Sequence, residues 1–291
     1  MPELPEVETV RKGLEDHLDG FCIDRLTVCR EKAIASSGGS EKFIQHMKNA
    51  YVGKWERRGK YLIASMQRKT ISKENSTSLY KLCGWWGVHL RMTGQFQWHE
   101  EAKPACPYTR VRFWNKQGYE LRFVDTRSFG QMWWIDSDSS PEQVINGLKK
   151  MGPEPFSKDF NASYLQKRFK RKTRSIKSAL LDQTLVAGVG NIYADESLFA
   201  AGILPHKESG KLKKSELEIL CSRLIEVLTI SIGKGGTTFS DFRDLKGTNG
   251  QYGGQAWVYR RNKKNCRRCG VIIQREKLSG RSTHWCPNCQ K

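Results

Sequence analysis

Once Met1 is removed, Pro2 presents a secondary amine at the chain end, flanked in sequence by the carboxylates of Glu3 and Glu6. A secondary amine that attacks an aldehyde-like carbon gives an iminium with no N–H left to lose. The adduct stays cationic at any ordinary pH and withdraws electrons from the carbon it holds, which is the chemistry needed to break a sugar next to a nitrogen. Glu3 and Glu6 are three residues apart at the start of a predicted helix, so both carboxylates can lie near the amine. The positive end of that helix lowers the amine pKa from its usual ~7.7 to 8.0, while the two carboxylates raise it. A plain capped helix, its Glu residues favouring the dipole, accounts for the same stretch, so the chemistry needs support from elsewhere in the chain.

Four of the nine cysteines supply a second constellation, Cys266-x2-Cys269-x16-Cys286-x2-Cys289. Each CxxC turn gives two thiolates, and the spacing predicts one tetrahedral, structural Zn2+ on a hairpin with no coordination position open for catalysis. Cys22, Cys29, Cys83, Cys106 and Cys221 are scattered, which suits reduced thiols in a reducing compartment. Arg281 lies between the two pairs, where a rigid hairpin could hold it against a phosphate. From Trp257 to Lys291 there are ten Lys or Arg and one acid, Glu276. A second basic run comprises Lys167, Arg168, Lys170, Arg171, Lys172, Arg174 and Lys177. Charge runs are usually solvated faces, but two of them beside a zinc hairpin converge on nucleic acid. The whole chain agrees: 291 residues carry 50 Lys plus Arg against 30 Asp plus Glu, a formal charge of +20 that attracts a polyanion. No run of 18 apolar residues marks a membrane span, and the acidic, proline-containing start is unlike a signal peptide. The expectation is a cytoplasmic protein with no membrane partner.

Elements must place these groups. Pro5 fits the first turn of a helix carried by Val7, Val10, Leu14 and Leu18 at helical spacing. Apolar or alternating stretches at 23–28, 55–65, 82–90, 109–113, 120–124 and 131–135 predict an antiparallel sheet domain. The polar segment 67–78 reads as a solvent loop without assigned function. Past 151–155, whose prolines and glycine mark a linker, helical periods at 164–169, 176–181, 194–201 and 217–232 predict a helical second domain. Between its first two long helices, Gly188-Val189-Gly190-Asn191 lets the backbone approach a phosphate and offers helix N–H groups to it; a tight helix connection without ligand explains the glycines equally.

Together these residues resemble the formamidopyrimidine-DNA glycosylase family. The resemblance rests on the opening 2–9, on Arg58-Gly59-Lys60-Tyr61-Leu62, on His89-Leu90-Arg91-Met92-Thr93-Gly94, on the 188–193 turn and on the zinc hairpin, in the same order from Pro2 to Lys291. It implies an α+β fold: an N-terminal antiparallel β-sandwich with an N-terminal helix (1–150), a helix-two-turn-helix domain (151–256) and a β-hairpin zinc finger (257–291). It implies a monomeric bifunctional enzyme that excises oxidised purines from double-stranded DNA and nicks the strand. Pro2 would form the Schiff base, Glu3 would donate the proton that helps open deoxyribose, and Glu6 would support them. Lys60 matches the lysine of β-elimination and Arg281 the arginine tied to δ-elimination, the latter read as a phosphate clamp because arginine stays protonated.

Such an enzyme must extrude its target nucleotide and fill the gap. Met92, Arg127 and Phe129 match the void-filling positions, although Met and Phe in isolation are more often core residues. Tyr108, Arg127 and Lys172 match DNA contacts, Asn191 and Arg281 match contacts to the phosphate of the flipped nucleotide, and Lys177 belongs to the same expected DNA-binding set. The glycine-rich stretch 233–254 corresponds to a loop covering the extruded base. Tyr108 departs from many relatives, which leaves the geometry there open, and the polar insertion before Leu79 and Ser128 depart from some bacterial members. Two alternatives stand beside this: the endonuclease VIII-like branch, specific for oxidised pyrimidines, and a damaged-DNA-binding protein without catalysis.

Overall fold

The computed structural model describes residues 1–71, 78–239 and 242–291. The chain forms two compact units, one of residues 1–2, 6–149 and 238–250, the other of residues 3–5, 150–237 and 251–291. Among the described residues no helix is long and apolar enough to cross a membrane.

The first unit holds most of α1 (Leu4–Leu18), then β1 (Arg25–Val28), α2 (Gly39–Met47), β2 (Tyr51–Arg58), β3 (Tyr61–Ile71), β4 (Ser78–His89), β5 (Gly94–His99), β6 (Thr109–Trp114), β7 (Glu120–Asp125), β8 (Gln131–Asp136), α3 (Pro141–Val144) and α4 (Asn146–Lys149). Two four-stranded antiparallel sheets, ordered β1-β6-β7-β5 and β2-β3-β4-β8, face each other. Alternation along β6 drives one face inward, and Trp86 of β4 meets Phe113 of β6 and Phe96 of β5 with ring centroids 4.7 and 6.0 Å apart. Val7, Val10, Leu14 and Leu18 of α1 enter the same core, as their spacing predicts.

Three sequence expectations need correction. The apolar stretch 55–65 is two strands rather than one, because Gly59 at φ +57° turns the chain between Arg58 and Tyr61. The described residues of the supposed solvent loop 67–78 are strand: β3 runs to Ile71 and β4 begins at Ser78, while 72–77 lie outside the described residues. β5 was missed, although Gln95-Phe96-Gln97-Trp98 alternates; it is short and its apolar residues are few.

The second unit contains α5 (Ala162–Phe169), α6 (Ile176–Leu180), α7 (Asn191–Ala201), α8 (Lys214–Gly233) and the hairpin β9 (Gln274–Leu278) and β10 (Arg281–Trp285). Asn161 caps α5, its side chain accepting from Tyr164 N–H, and Ser175 caps α6. The ribbon packs onto α7 through Phe199, Val258, Cys266, Ile273 and Cys286. The chain from 238 to 250 returns to the first unit, where Phe242 and Leu245 join the core and Leu245 C=O accepts from Trp98 N–H. Residues 240–241 of the expected covering loop 233–254 lie outside the described residues.

Candidate active site

In the second unit the centre is Glu3, 2% exposed. Its carboxylate accepts from Ile192 N–H at 3.0 Å and Tyr193 N–H at 3.3 Å, at the positive end of α7. The sequence reading offered those N–H groups to a phosphate; the anion they hold is the chain's own carboxylate. The two glycines are explained the same way. A Cβ on Gly190 would lie 2.3 Å from the Glu3 side chain, and one on Gly188, which sits at φ +80°, 2.7 Å from Leu4. Gln183 fastens the intervening turn, donating to Val189 C=O and accepting from Gly188 N–H.

Asn191 begins α7, and its amide donates to Ser282 C=O on β10 at 2.9 Å. Arg281 is exposed at the start of β10, directly after a two-residue turn in which Ser279 and Gly280 have φ +47° and +80°. Lys172 is exposed between α5 and α6, and Arg174 of the same run is paired with Asp182 at 2.8 Å. Lys177 is a correction to the expected DNA-binding set. It is 1% exposed, and its ammonium reaches Asp195 at 2.7 Å, Ser282 C=O at 2.7 Å and the Thr283 hydroxyl at 2.9 Å. An ammonium has three protons, so none is left for a phosphate. Its work is to hold β10.

Sequence reasoning also missed Asp195 and Glu196, both fully buried on α7. Asp195 accepts from His284 N–H at 2.9 Å. Glu196 accepts from the N–H groups of Trp257, Val258 and Tyr259, where the chain enters the ribbon, and from the Tyr252 hydroxyl. Burial pushes the Glu196 carboxyl upward against those three N–H donors. Two adjacent acids thus anchor both ends of the segment that presents Arg281.

The four cysteine sulfurs lie within 4.8 Å of one another, with Cys266 to Cys289 at 3.9 Å and Cys269 to Cys286 at 3.4 Å. A tetrahedron with Zn–S near 2.3 Å has edges of about 3.8 Å, whereas a disulfide needs about 2.05 Å. The set fits one structural Zn2+.

In the first unit, Pro2 is buried and Lys60 is 7% exposed at the β2–β3 turn. The turn is tied to α1: Arg57 bonds Glu8 at 3.0 Å and donates to Gly59 C=O at 3.1 Å. Glu6 is buried on the first turn of α1. His89, quoted in sequence but given no role, lies in register with Tyr61 and accepts from Arg91 N–H through Nδ1. Burial, with the charges of Arg91 and Lys60, drives its pKa down to about 3, so the ring is neutral with its proton on Nε2.

The expected void-filling residues gather round another acid that sequence did not reveal. Asp125, fully buried at the end of β7, accepts from the Thr93 hydroxyl, Arg127 N–H and Gly130 N–H. It therefore fixes the turn carrying Met92 and the turn carrying Arg127 and Phe129. Arg127 and Phe129 are exposed, the guanidinium 4.9 Å over the ring, while Met92 is half-buried. Tyr108 is exposed, and its C=O accepts from Asp125 N–H.

Comparison with known proteins meets this geometry at every segment. Family models match residues 1–132 as the formamidopyrimidine-DNA glycosylase N-terminal domain, 151–243 as that enzyme's H2TH domain, and 263–291 as the zinc finger found in FPG and IleRS. Formamidopyrimidine-DNA glycosylase of Prochlorococcus marinus (strain MIT 9313) is 64% identical over 291 residues, covering 100% of both chains.

The chain belongs to the formamidopyrimidine-DNA glycosylase family.

Among family structures, a mutant of Lactococcus lactis FPG in complex with Fapy-dG-containing DNA is similar at a TM-score of 0.87 and 32% identity, with 100% of both chains covered. MutM in complex with carbocyclic 8-oxo-G-containing DNA gives 0.86 and 33%, again over 100% of both chains. The family's α+β architecture, with β-sandwich, helix-two-turn-helix and zinc ribbon, is the one described above.

Proposed function

We propose that this chain excises oxidised purines, such as 8-oxoguanine and ring-opened formamidopyrimidines, from double-stranded DNA and then nicks the strand, with Pro2 as nucleophile. The free amine of Pro2 attacks C1′ and bonds to it. The proton released from nitrogen passes through Glu3 to O4′ as the C1′–O4′ bond breaks, and the base departs with the electrons of the glycosidic bond. The resulting iminium draws electrons from C2′. Lys60 takes the C2′ proton and the 3′ phosphate leaves; Arg281 stabilises the phosphate that leaves in the second elimination. Glu6 supports the amine, and Met92, Arg127 and Phe129 occupy the gap in the duplex. Asn191, Tyr108 and Lys172 contact the backbone. The zinc ion supplies rigidity to the ribbon and takes no part in proton or electron transfer.

The observation that carries this reading is the seat of Glu3. A carboxylate adjacent in sequence to a terminal proline is buried on two helix N–H groups, in a pocket that any side chain on Gly190 would fill. A protein that only bound damaged DNA gains nothing from that arrangement. The five scattered cysteines are free thiols, which supports a cytoplasmic setting.

Borohydride trapping on 8-oxoguanine duplex tests the nucleophile. Trapping is expected for the processed chain and lost for Pro2→Gly or for protein that retains Met1; efficient trapping with Met1 attached removes Pro2 from the mechanism. Offering 8-oxoguanine opposite cytosine and thymine glycol in parallel tests the substrate. Faster release of thymine glycol would move the chain to the pyrimidine-specific branch.

A further inference from the structure

The hairpin of β3 and β4 outruns its own sheet. β2 covers β3 only as far as the Tyr51 and Gln67 pair, and β8 covers β4 only from the Gly84 and Asp136 pair onward. Beyond those points Arg68–Ile71 and Ser78–Leu82 continue as a two-stranded ribbon, with Cys83 as the extra residue at its base. The two edges differ. On the β3 side, the Arg68 guanidinium donates to Lys48 C=O at 2.7 Å and His46 C=O at 2.8 Å, closing that edge against the end of α2. On the β4 side no strand among the described residues pairs with Leu79–Leu82.

That open edge is apolar. Leu79, Tyr80 and Leu82 are 55%, 52% and 40% exposed, three large hydrophobic side chains in four consecutive positions. An unpaired, exposed, hydrophobic strand edge is a template for another strand, and proteins normally shorten or cover such edges. The charge on the ribbon is basic. Arg68, Lys69 and Lys81 have no acidic companion among its described residues. A second copy of this chain is a poor occupant, because each copy carries a formal charge of +20 and would bring its own Lys81 to the same edge.

We propose that the β4 edge at Leu79–Leu82 is a docking strand for an extended, acidic and apolar segment of a second protein, bound by strand addition. Main-chain N–H and C=O groups of the edge supply the ladder, and side chains supply selectivity on alternate faces. Tyr80 and Leu82 point to one face, where Tyr80 already meets Tyr51 edge-on with centroids 5.0 Å apart. Leu79 and Lys81 point to the other, so an acidic residue opposite Lys81 and apolar residues opposite the leucines define the partner. None of these residues belongs to the catalytic or phosphate-holding set, so docking leaves base excision free to proceed.

The test is selection of a random peptide display library on the full-length protein, followed by fluorescence anisotropy on synthetic versions of the selected peptides. The expected result is enrichment of peptides alternating acidic with apolar residues. Their affinity should fall at least about tenfold for Leu79→Ser/Leu82→Ser and for the exposed Lys81→Glu, a change that leaves folding intact. Amide exchange at 79–82 should slow on peptide binding, and nicking of 8-oxoguanine duplex should be unchanged in both variants. Absence of an acidic-apolar motif, equal binding by the variants, or a dimer in sedimentation that the variants dissolve would each overturn the proposal. So would a loss of duplex affinity in the variants, which would make the ribbon a DNA contact.

Discussion

Asp125 shows how one buried carboxylate can fix two turns at once, the one carrying Met92 and the one carrying the exposed Arg127 and Phe129. It accepts hydrogen bonds from the Thr93 hydroxyl, Arg127 N–H and Gly130 N–H without touching solvent, so its removal strips the acceptor from the Thr93 hydroxyl and Gly130 N–H and leaves Arg127 N–H only the Thr93 oxygen. Asp125→Ala should cost about 1 to 3 kcal/mol for each donor left unpaired, read by urea denaturation. Asp125→Leu should do no better, since the loss lies in the donors rather than in volume. His89 belongs to the same scale. Its ordinary pKa of 6.5 falls to about 3, so the unfolded chain binds the proton across that interval and the folded chain does not. Stability from this group is complete above pH 6.5 and is lost as pH falls toward 3. His89→Gln should flatten that part of the stability profile, as read by thermal melts in a pH series. Glu120 acts lower on the scale: burial raises its pKa, but hydrogen bonds from Arg122 and Arg112 outweigh it and bring the value to about 2. Its contribution holds above pH 4.5 and declines below. None of these three residues carried a role in the sequence, because a buried acid or histidine is legible only through the partners that the fold brings to it.

At the scale of elements, the helix-two-turn-helix connection is the part whose sequence and geometry agree most closely, though for a different reason than spacing suggested. Glycines at 188 and 190 announce a close approach. What approaches is Leu4 and Glu3. Gly190→Ala is expected to reduce borohydride trapping by about a hundredfold or more while zinc content, measured by atomic absorption, stays unchanged from the parent chain. The amphipathic helix α1 and the four-cysteine spacing were fully legible, because each depends on a local period or a fixed ligand interval. β5 and the outer halves of β3 and β4 were not. β5 is short, and the β3–β4 extension is polar enough along 67–70 to read as loop; only pairing across the hairpin makes it strand. Lys177 was misread for the complementary reason. A run of basic residues carries no mark of which member turns inward, and this one found Asp195.

For the molecule as a whole, charge and metal set the terms on which DNA is held. With a formal charge of +20, affinity for undamaged duplex should fall steeply with salt, the log–log slope giving the number of phosphates neutralised. Chelation of zinc should abolish duplex binding and strand nicking together, since Cys266 and Cys286 are core residues against Phe199 and the ribbon carries Arg281. Asp195→Asn is the milder perturbation: zinc stays, β10 loosens, and the ratio of second to first elimination products should drop several-fold with little change in base release.

The burial of the Lys177 ammonium has a practical corollary. An amine whose every proton is engaged cannot react with an acylating or alkylating reagent in the assembled protein, whereas the surface lysines can. Its labelling, followed by mass spectrometry, would thus register each excursion in which the ribbon lifts from its helices, and would time that opening without any engineered probe.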